Sequence, residues 1–134
     1  MSYWLLKTEP ETFSWDDLVR DKKAVWDGVR NFQARKNIKD MKKGDVAFIY
    51  HTGDQKAIVG ISSVTKEAYP EQKDPEWVAV DLAPDKPLKN PVSLARIRQD
   101  KALDKMVLVR AARLSVRPVT KAEFDRIIAL SQKS

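Results

Sequence analysis

Short apolar runs alternate with longer polar stretches along the chain, a pattern typical of a domain built from short strands and short helices. The apolar runs are rich in β-branched and aromatic residues, which favour extended backbone, so they predict buried strands. A shorter extended segment is predicted to end at Trp26. The other predicted strands cover residues 3–7, 46–51, 57–65, 77–82 and 114–119.

Capping residues indicate where the predicted helices begin. A hydroxyl followed three residues later by a carboxylate forms a capping box, and a single Asn or Ser can also satisfy the free backbone N–H groups of a first helical turn. The boxes are Ser14 with Asp17 and Thr120 with Glu123, and the single caps are Asn31 and Ser93. The predicted helices cover residues 15–20 and 32–41, a short segment after Ser93, one or two turns within 101–108, and the C-terminal segment.

The order of these elements indicates the fold class. Strands cluster in the middle of the chain without regular alternation with helices, which favours an α+β fold with a curved, mainly antiparallel sheet of five or six strands over a doubly wound parallel sheet. Such a sheet can close as a small barrel with peripheral helices. Prolines and charges predict exposed loops at 69–76 and 83–91, and Gly60 inside a strand indicates a bulge or a close backbone approach. With no long linker, residues 1–134 are expected to form one domain.

Composition excludes several classes of chemistry. The chain has 134 residues and no cysteine, so it has no disulfide, no thiolate zinc site and no cysteine nucleophile. The single histidine, His51, ends an apolar strand, where a lone histidine is more often a structural hydrogen-bonding group than a catalyst. We expect no metal and no cofactor. The formal charge of +6 makes a nucleic acid a reasonable partner. No apolar run approaches membrane length, and a bacterial cytoplasm, or a nucleus in a eukaryote, is the expected setting.

The segment at residues 24–35 is the strongest candidate for a binding site. Asp27 and Gly28 predict a turn between the extended segment and a helix, so Trp26, Asp27, Arg30 and Asn31 would gather around one bend. An indole can stack on a planar base, while nearby polar groups can discriminate its edge. The alternative is that Trp26 packs in the core and the following residues only begin the helix. Trp4 and Trp77 are expected to be core residues.

Several motifs, taken in order, resemble the EVE domain family. They are YWLLKTEPETFSWDDL, VWDGVRNFQARKNIKDMKKGDVAFIYH, GISSVTKEAYP, WVAVDL and RLSVRPVT. The resemblance extends over nearly the whole chain and implies a PUA-like fold, a curved β-barrel with peripheral helices that is related to PUA, ASCH and YTH domains. It also implies a non-enzymatic module that binds DNA or RNA and holds a modified base in an aromatic-lined pocket.

The resemblance implies a base-binding set: Lys7, Thr8, Glu9, Trp26, Asp27, Asn31, His51 and Ser115. The phosphate-binding candidates follow from their charge, because such cations can hold phosphates without reading the base sequence; they are Arg30, Arg35, Arg113 and Arg117. The loop after the AYP motif, residues 71–76, is shorter than in some relatives. Two other functions stay open from sequence. One is a pocket for a free nucleoside or another small molecule, and the other is an RNA- or nucleotide-processing enzyme with Glu9 or Asp27 as general base.

Overall fold

The computed structural model describes residues 1–106, 108 and 114–132. The strands are β1 (Tyr3–Thr8), β2 (Ala24–Trp26), β3 (Val46–His51), β4 (Ala57–Pro70), β5 (Val78–Ser93) and β6 (Val116–Val119). The helices are α1 (Trp15–Asp21), α2 (Phe32–Asp40), α3 (Leu94–Gln99) and α4 (Lys121–Ser131), with a 3-10 turn at Lys101–Leu103. No helix in this part of the chain is long and apolar enough to cross a membrane.

The strands form one mixed sheet in the order β2-β5-β4-β3-β1-β6. Only the β1–β3 pair is parallel, and the other pairs are antiparallel, so the predicted α+β fold with a mainly antiparallel sheet is confirmed. Register shifts interrupt the β3–β4 and β4–β5 pairs, and such bulges increase strand bending. Strands β2 and β6 lie at the two edges of the order, so the sheet is curled rather than closed by strand pairing.

Each face of the sheet carries its own hydrophobic core. Trp4 and Leu6 of β1 point to the face covered by α1 and α2, whereas Leu5 between them points to the face covered by α3 and α4. This alternation follows from the two-residue repeat of strand side chains. Helix α2 is joined to the edge strand β6 by a buried hydrogen bond, because the Asn37 side-chain amide donates to the carbonyl oxygen of Val116 over 2.7 Å.

The helix caps follow the prediction, whereas β4 and β5 do not. Ser14, Asn31, Ser93 and Thr120 each accept a backbone N–H of the helix that they precede. Strands β4 and β5 extend well past the predicted ends, so the loop predicted at 83–91 is wrong. Among the described residues, β2 pairs with β5 only at residues 80–82, and no other strand pairs along that edge of β5. An edge without a partner strand is where a sheet tolerates proline.

Two predictions about aromatic residues have different outcomes. Trp4 is a core residue with 6% of its surface exposed, and its Nε1–H donates to the Asp45 carboxylate over 3.0 Å. The prediction that Trp77 is a core residue is wrong, because Trp77 is only partly buried and stacks on the exposed ring of Phe32. The predicted close approach at Gly60 is confirmed, since a Cβ there would meet the ring of Trp15.

Candidate functional site

A cleft of about 740 Å³ is lined by the edge strand β2, the bend that follows it, the end of β1 and the segment before β6. One wall comes from the end of β1 and the segment before β6, and the other from β2 and the bend that follows it. Its volume is within the range of small-molecule sites in proteins. Seven of the sequence-predicted site residues line it: Lys7, Thr8, Glu9, Trp26, Asp27, Arg30 and Ser115.

Two aromatic side chains belong to the apolar lining of the cleft, together with Ala24, Val25 and Val29. Trp26 and Phe13 both line it, with their ring centroids 6.2 Å apart and their planes at 80°. Both are only partly buried, and both pack against the core beneath α1 and α2. Trp26 therefore fits both interpretations, that of a core residue and that of a site residue, because its side chain contacts the core and also lines the cleft. An indole anchored in this way offers a flat surface with little conformational entropy to lose on binding.

Backbone hydrogen bonds shape the opposite wall. The Lys7 N–H donates to the carbonyl oxygen of Ser115 over 2.9 Å, which ties β1 to the segment before β6. The Thr8 hydroxyl donates to the carbonyl oxygen of Phe13 over 2.6 Å, which holds the turn after β1. The Glu9 side chain is exposed, whereas its carbonyl oxygen accepts the N–H groups of Thr12 and Phe13. This wall presents polar groups whose positions are set by main-chain contacts.

Lys7 is the cation of this wall. Partial burial, followed by repulsion from the nearby Arg117 guanidinium, lowers the Lys7 pKa to about 8. Its Nζ lies 5.6 Å from the centroid of the Tyr50 ring, which gives a cation–π contact. At neutral pH the ammonium group is still mostly charged, and its contact with Tyr50 lies on the side of the sheet that carries Leu5, whereas Trp26 packs on the side that carries Leu6.

The bend after Trp26 is held by Glu71, which sequence reasoning placed in an exposed loop and so missed. The Glu71 side chain is only 7% exposed. Its carboxylate accepts the Gly28 N–H over 3.1 Å and both terminal nitrogens of Arg30 over 2.8 and 2.9 Å. The hydrogen bond from Arg30 is the main cause of the lowered Glu71 pKa. Because Glu71 lies 43 residues from Gly28 in sequence, no local pattern could indicate the contact.

Two residues predicted to bind a base have structural roles instead. The Asn31 side chain accepts the Ala34 N–H over 2.9 Å, and it does not line the cleft. His51 is 8% exposed, with Nε2 accepting the Trp15 backbone N–H over 3.0 Å and Nδ1 lying 2.7 Å from Gln55 Oε1. Because Nε2 accepts, Nδ1 carries the proton and donates it to Gln55. The structural interpretation of His51 is therefore the one that the geometry supports.

The four arginines predicted to bind phosphate differ in where they lie and in what they contact. Arg30 is at the cleft and paired with Glu71. Arg35 lies outside the cleft, over the rings of Phe32 and Trp77. Arg117 has no exposed surface, which corrects the expectation that it contacts phosphate, because a phosphate cannot reach a fully buried guanidinium. Arg113 lies outside the described residues.

No metal-binding cluster of His, Asp or Glu occurs among the described residues. Glu9 and Asp27, the candidate general bases, are both exposed. A tuned base needs burial or a neighbouring charge that shifts its pKa, so an exposed carboxylate is a poor candidate for that role. The arrangement as a whole can stack a flat ring and hydrogen-bond to its edge.

Comparisons with known proteins agree with the motifs. A model of the EVE domain matches residues 2–130. Thymocyte nuclear protein 1 of Mus musculus is 36% identical over 167 aligned positions, which cover 98% of this chain and 74% of that protein. A Rhodopseudomonas palustris protein solved by NMR is 41% identical with a TM-score of 0.94, covering 98% and 93% of the two chains. Human THYN1, solved in complex with 5-methylcytosine-containing DNA, is 33% identical with a TM-score of 0.93, covering 100% and 99%.

Proposed function

Since this chain belongs to the EVE domain family, we propose that it is a non-enzymatic nucleic-acid-binding module that holds one modified base in the cleft beside Trp26. The observation that supports the proposal is the cleft itself, whose lining includes both the Trp26 indole and the polar end of β1. The likeness to human THYN1, whose structure contains 5-methylcytosine DNA, supports modified DNA as the ligand class. We take 5-methylcytosine as the first modification to test.

Base stacking on Trp26 would supply most of the affinity inside the cleft. An aromatic side chain that stacks a base contributes about 1–3 kcal/mol, whichever base it is. Preference for the methylated base needs a further contribution to the binding free energy, one that depends on the methyl group. Burying one methyl group against Trp26 or Phe13 contributes about 1 kcal/mol. Hydrogen bonds between the base edge and polar groups such as Thr8, whose hydroxyl already donates to Phe13 and so can only accept, would select cytosine over other bases. They add nothing to the preference for the methyl group, because cytosine and 5-methylcytosine present the same donors and acceptors.

The test is a titration of matched oligonucleotides that differ only in one cytosine or 5-methylcytosine. The wild type is expected to prefer the methylated strand. Trp26→Ala should weaken binding of that strand by about 5- to 100-fold. Val19→Ala, which truncates an exposed apolar side chain on α1, is the matched control and should bind like the wild type. Equal affinity for both strands, unchanged by Trp26→Ala, would exclude a base reader at this cleft.

Salt dependence separates a nucleic-acid ligand from a free nucleoside in the same cleft. A polymer releases counterions when cationic side chains contact its phosphates, so its affinity falls steeply as salt rises. A nucleoside carries no phosphate and should show almost no such dependence. Tight nucleoside binding together with weak, salt-insensitive oligonucleotide binding would contradict the proposal and would identify a small-molecule site.

A further inference from the structure

A second aromatic surface lies next to the cleft but is not part of its lining. The rings of Phe32 and Trp77 stack with centroids 5.2 Å apart and planes at 30°. Phe32 is the first residue of α2, and 63% of its surface is exposed. Neither ring belongs to either hydrophobic core of the described residues. An exposed ring stacked on a partly buried one, outside both cores, is unusual for side chains whose only purpose is packing.

An arginine completes this surface. The Arg35 guanidinium carbon lies 4.8 Å from the centroid of the Phe32 ring and 5.1 Å from that of Trp77. One of its nitrogens donates to the carbonyl oxygen of Glu76 over 3.0 Å, which fixes the side chain across both rings. Among the described residues, no carboxylate forms an ion pair with Arg35. We call Phe32, Arg35 and Trp77 together the aromatic platform.

The platform is continuous with the cleft through Arg30. The Arg30 guanidinium carbon lies 5.4 Å from the centroid of the Trp77 ring, and Arg30 also lines the cleft. Glu71 holds Arg30 in this position and neutralises its charge. Arg35 is therefore the cation of the platform that is available for a phosphate, while the rings beside it offer a flat apolar surface.

We propose that the aromatic platform stacks a nucleotide next to the base held in the cleft, with Arg35 contacting the phosphate of the connecting backbone. The proposal rests on the proposed function and extends it to a neighbouring subsite. An aromatic face with an adjacent cation matches the two chemical parts of a nucleotide, the base and the phosphate. An apolar protein partner would match only the rings and would leave Arg35 desolvated without a counter-charge.

The test combines two variants of Phe32 with an altered ligand. Phe32→Leu keeps an apolar side chain but removes the flat ring, whereas Phe32→Tyr keeps the ring. Phe32→Leu should weaken binding of a 5-methylcytosine oligonucleotide by about 5- to 100-fold, and Phe32→Tyr by less than about twofold. Neither variant should change the affinity for free 5-methyl-2′-deoxycytidine, which reaches only the cleft. Val19→Ala is again the control, and thermal unfolding checks that each variant is folded.

Abasic oligonucleotides identify the contact directly. Removing the base on one side of the 5-methylcytosine should weaken binding to the wild type but leave binding to Phe32→Leu unchanged, because that variant has no ring for the base to stack on. Equal losses in the two proteins would overturn the platform and leave the cleft intact. Trp26→Ala, in contrast, should weaken both the oligonucleotide and the nucleoside. If the wild type binds neither ligand, the proposed function and the platform are both overturned.

Discussion

Gly60 allows Trp15 to pack directly against β4, and Gly60→Ala tests this contact. A Cβ at this position would lie 2.5 Å from Trp15 Cδ2 and 2.6 Å from Cε2. Carbon atoms pack best at about 3.5–4.0 Å, so the ring or the strand must withdraw by about 1 Å. The Trp15 backbone cannot move freely with the ring, because its N–H donates a hydrogen bond to His51 Nε2.

The expected cost follows from these distances. Overpacking of a well-packed core costs about 1–3 kcal/mol, and the lower chain entropy of alanine in the unfolded state offsets about 0.4–1 kcal/mol of it. The net loss in the free energy of unfolding should be about 1–2 kcal/mol. For a domain of this size that corresponds to a fall in Tm of about 4–8 °C. Urea denaturation and thermal scans both measure it.

A double-mutant cycle shows whether the ring is the cause. In a Trp15→Phe background the smaller ring leaves room for the methyl group, so Gly60→Ala should cost at least about 1 kcal/mol less than in the wild type. Gly44→Ala is the control. A Cβ at Gly44 meets nothing within 4 Å, and the cost there comes from the backbone φ of +92°, so it should not depend on residue 15.

The same contact bears on the cleft. Trp15 begins α1 directly after the turn that Thr8 holds at Phe13, so a displaced Trp15 should also shift one wall of the cleft. Gly60→Ala is therefore expected to weaken oligonucleotide binding as well as stability. Additive effects of Gly60→Ala and Trp15→Phe on stability would refute the reasoning, since the energy would then not come from the contact between them.

Two further outcomes test the polar parts of the site. Glu71→Gln should weaken oligonucleotide binding more than Glu67→Gln at an exposed position, because it removes the charge that holds Arg30 and Gly28. Calorimetric titration measures the two affinities, and equal values would contradict the prediction. Lys7 has a pKa of about 8 in the folded protein and an ordinary pKa of 10.5 in the unfolded chain. Between these two values the unfolded chain binds more protons than the folded protein, so the free energy of unfolding should rise with pH across this range. Lys7→Met should flatten this rise in urea denaturation, whereas Lys36→Met, at an exposed position, should not.

Several parts of the fold could be predicted because their causes are local. A cap acts over three residues, so Ser14 and Thr120 mark their helices whatever lies elsewhere in the chain. The alternation of strand side chains likewise depends only on neighbours. The motifs of the β1 end and the bend also placed Thr8 and Trp26 at one site, and both line the cleft.

Contacts between distant segments decided the rest. The prolines of β5 predict a loop, but β5 continues through them to Ser93, and β2 pairs with it only near its start. Arg117 and His51 carry polar groups that favour the surface, yet the sheet buries both. A large apolar indole predicts a core position for Trp77, but its neighbours in space include Phe32 and two arginines.

The amino-acid sequence was enough to predict where helices begin, which apolar runs form strands, and which bend carries an indole beside polar groups. The cleft that joins the end of β1 to β2, the contact of Glu71 with the bend and the aromatic platform beside it all depend on the folded chain. The difference lies in the sequence separation of the residues that interact. Caps and alternation are decided within a few residues, whereas the cleft depends on pairs such as Gly28 and Glu71 that meet only after the sheet has curled.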